Sequence, residues 1–267
     1  MATLLHISDV HFGWPSVPEA VEAIHASRAA LAPDLVVCSG DLVQRGDFTS
    51  QYRAARAFLD RFPEPVLSVP GNHDLVFWNP WVRLRRPFVN YRRWISPDLE
   101  PLWRDEQVCV LGIATPRPWL VDLGFVDRRQ LARVREAFAD LPPQVLRVLV
   151  MHHPLVPTEF DGWFRHHVRG SRRAIEAFSR AGVDLVLCGH SHFPLCRRIV
   201  PASGARPFVM AQAGTSSSRR LRPHTGCEHN AFNVIRTDGP GRFVVEHHLL
   251  RTDGFEQVWS ERYDRPR

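Results

Sequence analysis

Six short apolar runs recur along the chain: "TLLHIS" (3–8), "DLVVCSG" (34–40), "PVLSVPG" (65–71), "VCVLGIA" (108–114), "RVLVMHH" (147–153) and "DLVLCGH" (184–190). All are rich in Val, Leu and Ile and are punctuated by glycine or polar residues. Consecutive apolar positions over so short a span describe strands buried on both faces. The stretches between them, 18–31, 49–62, 127–140 and 172–181, have helix-forming composition, and Thr49, Asp127 and Ser171 are suited to cap their starts. Strand and helix in alternation give βαβ units, and therefore a sheet covered by helices on both faces.

Past residue 190 the pattern changes. "LCRRIV", "RPFVMAQ", "AFNVIRT" and "RFVVEHHLL" are strand-like but follow one another without convincing helices, so a second set of strands, antiparallel in part, is expected there. One domain over 1–250 is expected, with a cap insertion rich in Trp, Arg and Pro at 76–107 and a polar tail at 251–267.

A chain of 267 residues with 44% apolar content can bury one large core, which excludes global disorder. No run approaches the roughly 18 apolar residues of a membrane span. The start "MATLLHISDVH" lacks the basic and long apolar stretches of a secretory signal, so a cytoplasmic protein is expected. Cys38, Cys109 and Cys188 lie inside apolar runs and read as small buried hydrophobes, and no CxxC pair occurs. The net charge is +6, yet the chain has no lysine and all 34 basic residues are arginine. That is a compositional habit, and the charge alone does not argue for nucleic acid.

Chemistry is concentrated where the runs end. The first is followed by Asp9-Val-His11, the second by Gly40-Asp41 and the third by Gly71-Asn72-His73-Asp74. The fifth leads into His152-His153-Pro154 and the sixth into Gly189-His190-Ser191-His192. In an open α/β sheet the carboxyl ends of the strands form one rim, where sites are built. Five separate segments thus deliver aspartate, asparagine and histidine to that rim.

The ordered set D-x-H, G-D, G-N-H-[DE], H-x-P and G-H-x-H resembles the calcineurin-like metallophosphoesterases over roughly residues 3–249. "HISDVHFG", "GDLVQRGD", "GNHD", "MHHP" and "GHSH", with the later "QAGTSSSRRLR", are most similar to the branch containing class III cyclic nucleotide phosphodiesterases. The resemblance implies an α/β fold, a four-layer αββα sandwich of two mixed β-sheets flanked by helices. It also implies two divalent transition-metal ions (Mn, Fe, Zn or Co). One would sit on Asp9, His11 and His192, the other on Asn72, His152 and His190, with Asp41 bridging both. His152 is chosen over His153 because the family's ligand stands two residues before the proline. His73 is not a ligand in this pattern; it assists the leaving group during in-line attack by a metal-bridging hydroxide. A homodimer through the carboxy-terminal strands is a further implication.

The residue types suit that chemistry. Two divalent ions bring four positive charges, Asp9 and Asp41 return two, and a hydroxide returns one, leaving the centre attractive to a phosphoryl anion. A neutral amide at Asn72 ligates without cancelling that surplus. Nitrogen and oxygen donors without thiolate suit first-row transition metals rather than Mg or Ca. Asp74 has two roles open to it, orienting a histidine or capping the next segment. His153 lies beside a ligand, within reach of substrate. His6, His25, His166, His167, His224, His229, His247 and His248 carry no assigned role.

Two arginine-rich segments remain. "WVRLRRPFVNYRRW" (81–94) reads as an amphipathic cap helix packing its Trp, Leu, Phe and Tyr inward, or as a surface for single-stranded nucleic acid or lipid headgroups. Arg219, Arg220 and Arg222 are placed to meet a phosphate, although such clusters arise cheaply in an all-arginine chain. The function expected is a dinuclear-metal phosphodiesterase acting on a small phosphodiester such as a cyclic nucleotide. The alternatives are a nuclease, a lipid-linked pyrophosphate hydrolase (whose family motif reads G-N-R-D) and a non-catalytic scaffold on the same fold. Nucleic acid is the less favoured substrate because the chain has little room for an added DNA-binding region.

Overall fold

The computed structural model describes residues 1–157 and 167–265. In chain order it runs β1 (Thr3–Ile7), α1 (Pro18–Leu31), β2 (Leu35–Cys38), α2 (Thr49–Leu59), β3 (Val66–Ser68), two short helices α3 (Pro80–Arg85) and α4 (Val89–Trp94), then β4 (Leu102–Arg104) and β5 (Val108–Gly112). It continues with β6 (Gly124–Phe125), α5 (Arg128–Ala139), β7 (Leu146–Val150), β8 (Val168–Arg169), α6 (Ser171–Arg180) and β9 (Leu185–Cys188). Five strands follow: β10 (Leu195–Ile199), β11 (Phe208–Gln212), β12 (Ala231–Thr237), β13 (Arg242–Arg251) and β14 (Gly254–Asp264).

Two six-stranded sheets form, in the orders β14-β13-β12-β1-β2-β3 and β10-β11-β9-β7-β5-β4. Both are mixed. In the first, β1, β2 and β3 are parallel and β12 to β14 antiparallel; in the second, β11, β9, β7 and β5 are parallel between antiparallel edges.

Strand periodicity explains the layering, because alternate side chains point to opposite faces. On β1 and β2, Leu5, Ile7, Val36 and Cys38 face the helix side, where Ile24, Tyr52, Ala55 and Phe58 cover them. Leu4, Leu35 and Val37 face the other sheet, meeting Val110, Val148 and Leu187 in the central core. On β5, β7 and β9 the alternate residues Leu111, Leu149 and Val186 turn outward onto Val134, Phe138 and Phe178. Helix, sheet, sheet, helix is therefore a consequence of strands apolar on both faces.

The strands expected after residue 190 are present and antiparallel in part, β10 and β11 extending one sheet and β12 to β14 the other. One expectation needs correction. The stretch 251–267 is not a tail as far as Asp264, because β14 pairs along β13. A bulge opposite His247 and His248 puts Phe255 against the helix-side core and Trp259 and Tyr263 against the central one. Capping is mixed. Asp127 caps α5, accepting from Gln130 N at 2.9 Å, while Thr49 and Ser171 are first helical residues, one past the cap. Among the described residues no helix is long and apolar enough to cross a membrane. All five cysteines are free thiols, and Cys38, Cys109 and Cys188 are buried as expected.

Candidate metal centre

The site forms where the carboxyl ends of β1, β2, β3, β7 and β9 meet, and its backbone is unusual. Asp9 (φ 52°), His11 (47°), Asp41 (54°), His190 (75°) and His192 (64°) are left-handed; among the described residues only one other non-glycine, Ala32, shares that region. Each such residue costs on the order of 1–3 kcal/mol, held in place by its surroundings. Here Asp9 N donates to Gly40 O and His11 N to Asp41 O, both at 3.0 Å. Two glycines leave the necessary room. A Cβ on Gly71 would strike the Asp41 carboxylate, and one on Gly189 would strike Ser8 and the Asp9 carboxylate.

Asp9, His11, Asp41 and His192 form one buried cluster. His11 Nε2 stands 3.2 Å from His192 Nε2, 3.7 Å from Asp9 Oδ1 and 3.8 Å from Asp41 Oδ2. Beside it, His152 Nε2 lies 3.1 Å from Asn72 Oδ1, 3.2 Å from His190 Nδ1 and 3.4 Å from Asp41 Oδ2. Asp41 thus reaches toward both groups. All seven residues carried over from the sequence come together. His153 joins His152 and His190 as a third nitrogen donor in the second group, which sequence spacing did not suggest. Its Nδ1 is engaged by Thr115 Oγ1 at 2.8 Å.

These donors fit divalent cations. His152 Nδ1 is 2.9 Å from the Ser39 carbonyl, and His192 Nδ1 is 2.7 Å from that of Arg220. A carbonyl only accepts, so the proton of each neutral ring sits on Nδ1 and Nε2 presents a lone pair inward. Two rings, an amide oxygen and two carboxylates therefore aim acceptors at one another. Asp9 Oδ1 is buried with no hydrogen-bond partner, although Asp9 Oδ2 accepts from Ser8 Oγ at 2.6 Å and His190 N at 2.9 Å. Buried acceptors in mutual contact need a cation among them.

Protonation follows the same logic. Burial works to raise the Asp41 carboxyl, but His152 and His73 outweigh it and hold the group well below its usual range. Burial keeps His11 and His153 well below the ordinary imidazole value. It also pulls on His152, where Asp41 prevails and, with no cation in place, lifts the ring to about 9; the neutral ring with its Nε2 lone pair inward is the form a bound cation would select. Asp74 shows neither of the two roles left open for it, orienting a histidine or capping the segment that follows. Its carboxylate accepts from Gly71 N (2.8 Å) and Val43 N (3.2 Å), capping the turn at 72–74 and tying it to the Asp41 loop. Burial, then Asp41, pushes Asp74 up to about 7 against those bonds.

His73 lies at the edge. Its Nδ1 is 2.8 Å from Gln44 O and its Nε2 2.8 Å from Arg220 Nη1. A cavity of about 280 Å³ opens there, lined by Asn72, His73, Arg220, Phe77, Arg83 and Val121 among others. The 81–94 segment is two helices rather than one, and it packs inward only in part. Phe88 and Tyr91 are buried, but α3 buries nothing, leaving Trp81 70% and Leu84 62% exposed. Arg83 ties α3 to the neighbouring loop through Pro118 O (2.8 Å) and Leu120 O (3.1 Å). Of the histidines without a role, His6 and His247 join Asn233 in a buried hydrogen-bonded chain, and His166 lies outside the described residues.

The fold and this cluster define a metallophosphoesterase. The chain belongs to the calcineurin-like phosphoesterases, whose family profile matches residues 2–194. A 3′,5′-cyclic adenosine monophosphate phosphodiesterase of Haemophilus influenzae is 27% identical over 164 residues, 60% of this chain and 54% of that protein. The chain therefore spans about half that relative's length. A glycerophosphodiester phosphodiesterase of Enterobacter lignolyticus is 26% identical over 211 residues, 71% of this chain and 70% of that protein. A dimetal phosphatase from Danio rerio shares the fold, with a TM-score of 0.69 at 14% identity and 99% of each chain covered.

Proposed function

We propose that the chain is a metal-dependent phosphodiesterase acting on a small phosphodiester, with a cyclic nucleotide as the leading candidate. The observation that carries this is the convergence of seven donors from five segments, with the inward nitrogens of His152 and His192 held as acceptors by carbonyls behind those two rings. Two divalent ions (Mn, Fe, Zn or Co), one held by Asp9, His11 and His192, the other by Asn72, His152 and His190, with Asp41 shared, would acidify water and attract phosphoryl oxygens.

The chain's own residues supply the rest. Ser39 and Arg220 carbonyls orient the rings, and Ser8 steers the Asp9 carboxylate. His73, next to Asn72, lines the cavity where the departing alcohol would lie and takes part in that departure, directly or through a neighbouring donor. Phe77 and Val121 give that cavity an apolar wall suited to a ring or nucleoside. The five free thiols accord with a reducing compartment, the cytoplasm. The reading extends to a homodimer across β14, whose outer edge is unpaired in the sheet order.

Protein prepared with Mn is expected to hold close to two metals per chain, and a chelator should abolish its turnover of bis(p-nitrophenyl) phosphate. Inert, metal-replete protein would instead indicate a scaffold. A panel of cyclic nucleotides, oligonucleotides and lipid-linked diphosphates then ranks the substrates; preference for oligonucleotides would replace the small-diester assignment.

A further inference from the structure

Resting on that reading of the metal centre, we propose that Arg220 is a catalytic residue. Its guanidinium donates to the departing oxygen of the phosphodiester, and His73 acts through it as a positioning residue.

The argument begins with hydrogen-bond inventory. A guanidinium only donates and a carbonyl only accepts. His73 stands between one of each, with Arg220 Nη1 2.8 Å from Nε2 and Gln44 O 2.8 Å from Nδ1. The ring proton therefore lies on Nδ1, and the Nε2 lone pair receives Arg220. So engaged, His73 has no proton aimed at substrate, whereas Arg220 has further N–H groups. Its side-chain partners among the described residues are neutral: His73, and Gln44 Oε1 at 3.5 Å. Two other arginines, Arg45 and Arg83, line the same cavity, and of the three it is Arg220 that bonds His73. Arg83 donates to the carbonyls of Pro118, Val76 and Leu120, so it builds the wall rather than binding ligand. Asp122 lines the same cavity.

The main chain fixes where Arg220 stands. Its carbonyl accepts from His192 Nδ1 at 2.7 Å, and its N–H donates to Ser218 Oγ at 3.1 Å. The residue that orients one proposed ligand through its backbone thus holds His73 through its side chain. Changing the side chain leaves the carbonyl contact in place, which separates a role in catalysis from a role in metal binding.

In the hydrolysis, a bond forms between phosphorus and the water oxygen. The bond from phosphorus to the alcohol oxygen breaks, leaving its electron pair on that oxygen. Arg220 stabilises the charge developing there, the water supplies the proton that completes the alcohol, and the hydroxyl stays on the phosphate monoester. The ligand class is a singly charged phosphodiester whose departing substituent lies against Phe77 and Val121.

The test compares wild type, Arg220→Lys, Arg220→Gln, His73→Ala and the Arg220→Gln/His73→Ala double variant, all as the full chain prepared with Mn, on aryl phosphodiesters of graded leaving-group basicity. Arg220→Gln is expected to lower kcat/KM by about 10²–10³-fold, the usual cost of one preorganised donor. The loss should grow with leaving-group basicity, be partly restored by added guanidinium ion and by Arg220→Lys, and leave metal content unchanged. Once His73 is alanine, removing Arg220 should cost less than about threefold, because the two act as a unit. Additive losses, a loss insensitive to guanidinium and leaving group, or an Arg220→Gln enzyme within threefold of wild type would overturn the proposal. If wild type hydrolyses no diester, the phosphodiesterase reading and this inference fall together; an active wild type with an indifferent Arg220→Gln removes the inference alone.

Discussion

Asn72 contributes an amide oxygen where an aspartate would fit as well, and the difference is one unit of charge. Its Oδ1 lies 3.1 Å from both His152 Nε2 and His190 Nδ1, inside the proposed second metal site. Asn72→Asp would strengthen attraction for cations and weaken it for an anionic ester, since at such distances a unit charge is worth a few kcal/mol even at an effective dielectric near 20. The expected outcome is slower metal loss to a chelator together with a fall of at least about tenfold in kcat/KM for bis(p-nitrophenyl) phosphate. Gly189→Ala provides a contrast. Its Cβ would displace the Asp9 carboxylate, so metal content measured on purified protein should fall along with activity. The seven proposed ligand positions were legible in the sequence because each lies in a segment that directly follows an apolar run. Arg220 was named there only as one of three arginines able to meet a phosphate; its pairing with His73, 147 residues away, was not legible, because only loop closure makes them neighbours.

The insertion after the Asn72 loop shows how far one element can be read from composition. Its mixture of arginine and aromatic residues gives no periodicity that separates a packed helix from an exposed one. In the fold, α4 is anchored by a buried side chain, whereas α3 buries none and is held through the Arg83 hydrogen bonds. Tyr91 is fully buried and bonds Ser68 Oγ at 2.9 Å, whereas Trp81 is mostly exposed with Arg85 over its ring. Tyr91→Ala should therefore lower stability in urea by about 3–5 kcal/mol, as for other large aromatic truncations. Trp81→Ala should stay within about 0.5 kcal/mol, as surface changes do. The parallel strands were readable because both of their faces are apolar. The assignment of β12 and β14 was not: β12 pairs with β1 from the opposite end of the chain, and β14 hides a strand behind polar residues on its open face.

At the scale of the whole molecule, both sheets lend donors to one centre, so whatever binds there also ties the sheets together. Ligands that favour the folded state stabilise it by mass action, about 2.7 kcal/mol at a hundredfold excess over Kd. Added Mn should accordingly raise the thermal midpoint and a chelator lower it, with Asp41→Asn losing most of that response in calorimetry. Acid should act by a second route. Burial, the leading cause for each, lowers His6 to about 3 and His25 and His247 to about 4, from 6.5. In the unfolded chain these rings take up protons near pH 6.5, so between 6.5 and 4 the unfolded state binds more protons. Their contribution is complete above pH 6.5 and is lost as pH falls through that window. In the metal-free protein, His152 and Asp74 are shifted the other way. Wild type alone therefore reports a sum, and a difference between variants is needed. His25 packs between Phe58 and Phe62, with ring centroids at 4.9 and 4.5 Å, and is not among the proposed ligands. His25→Phe keeps the packing and removes the titration. Its melting temperature should fall less steeply than that of wild type between pH 6.5 and 4, and parallel profiles would show that His25 is not held neutral by the fold.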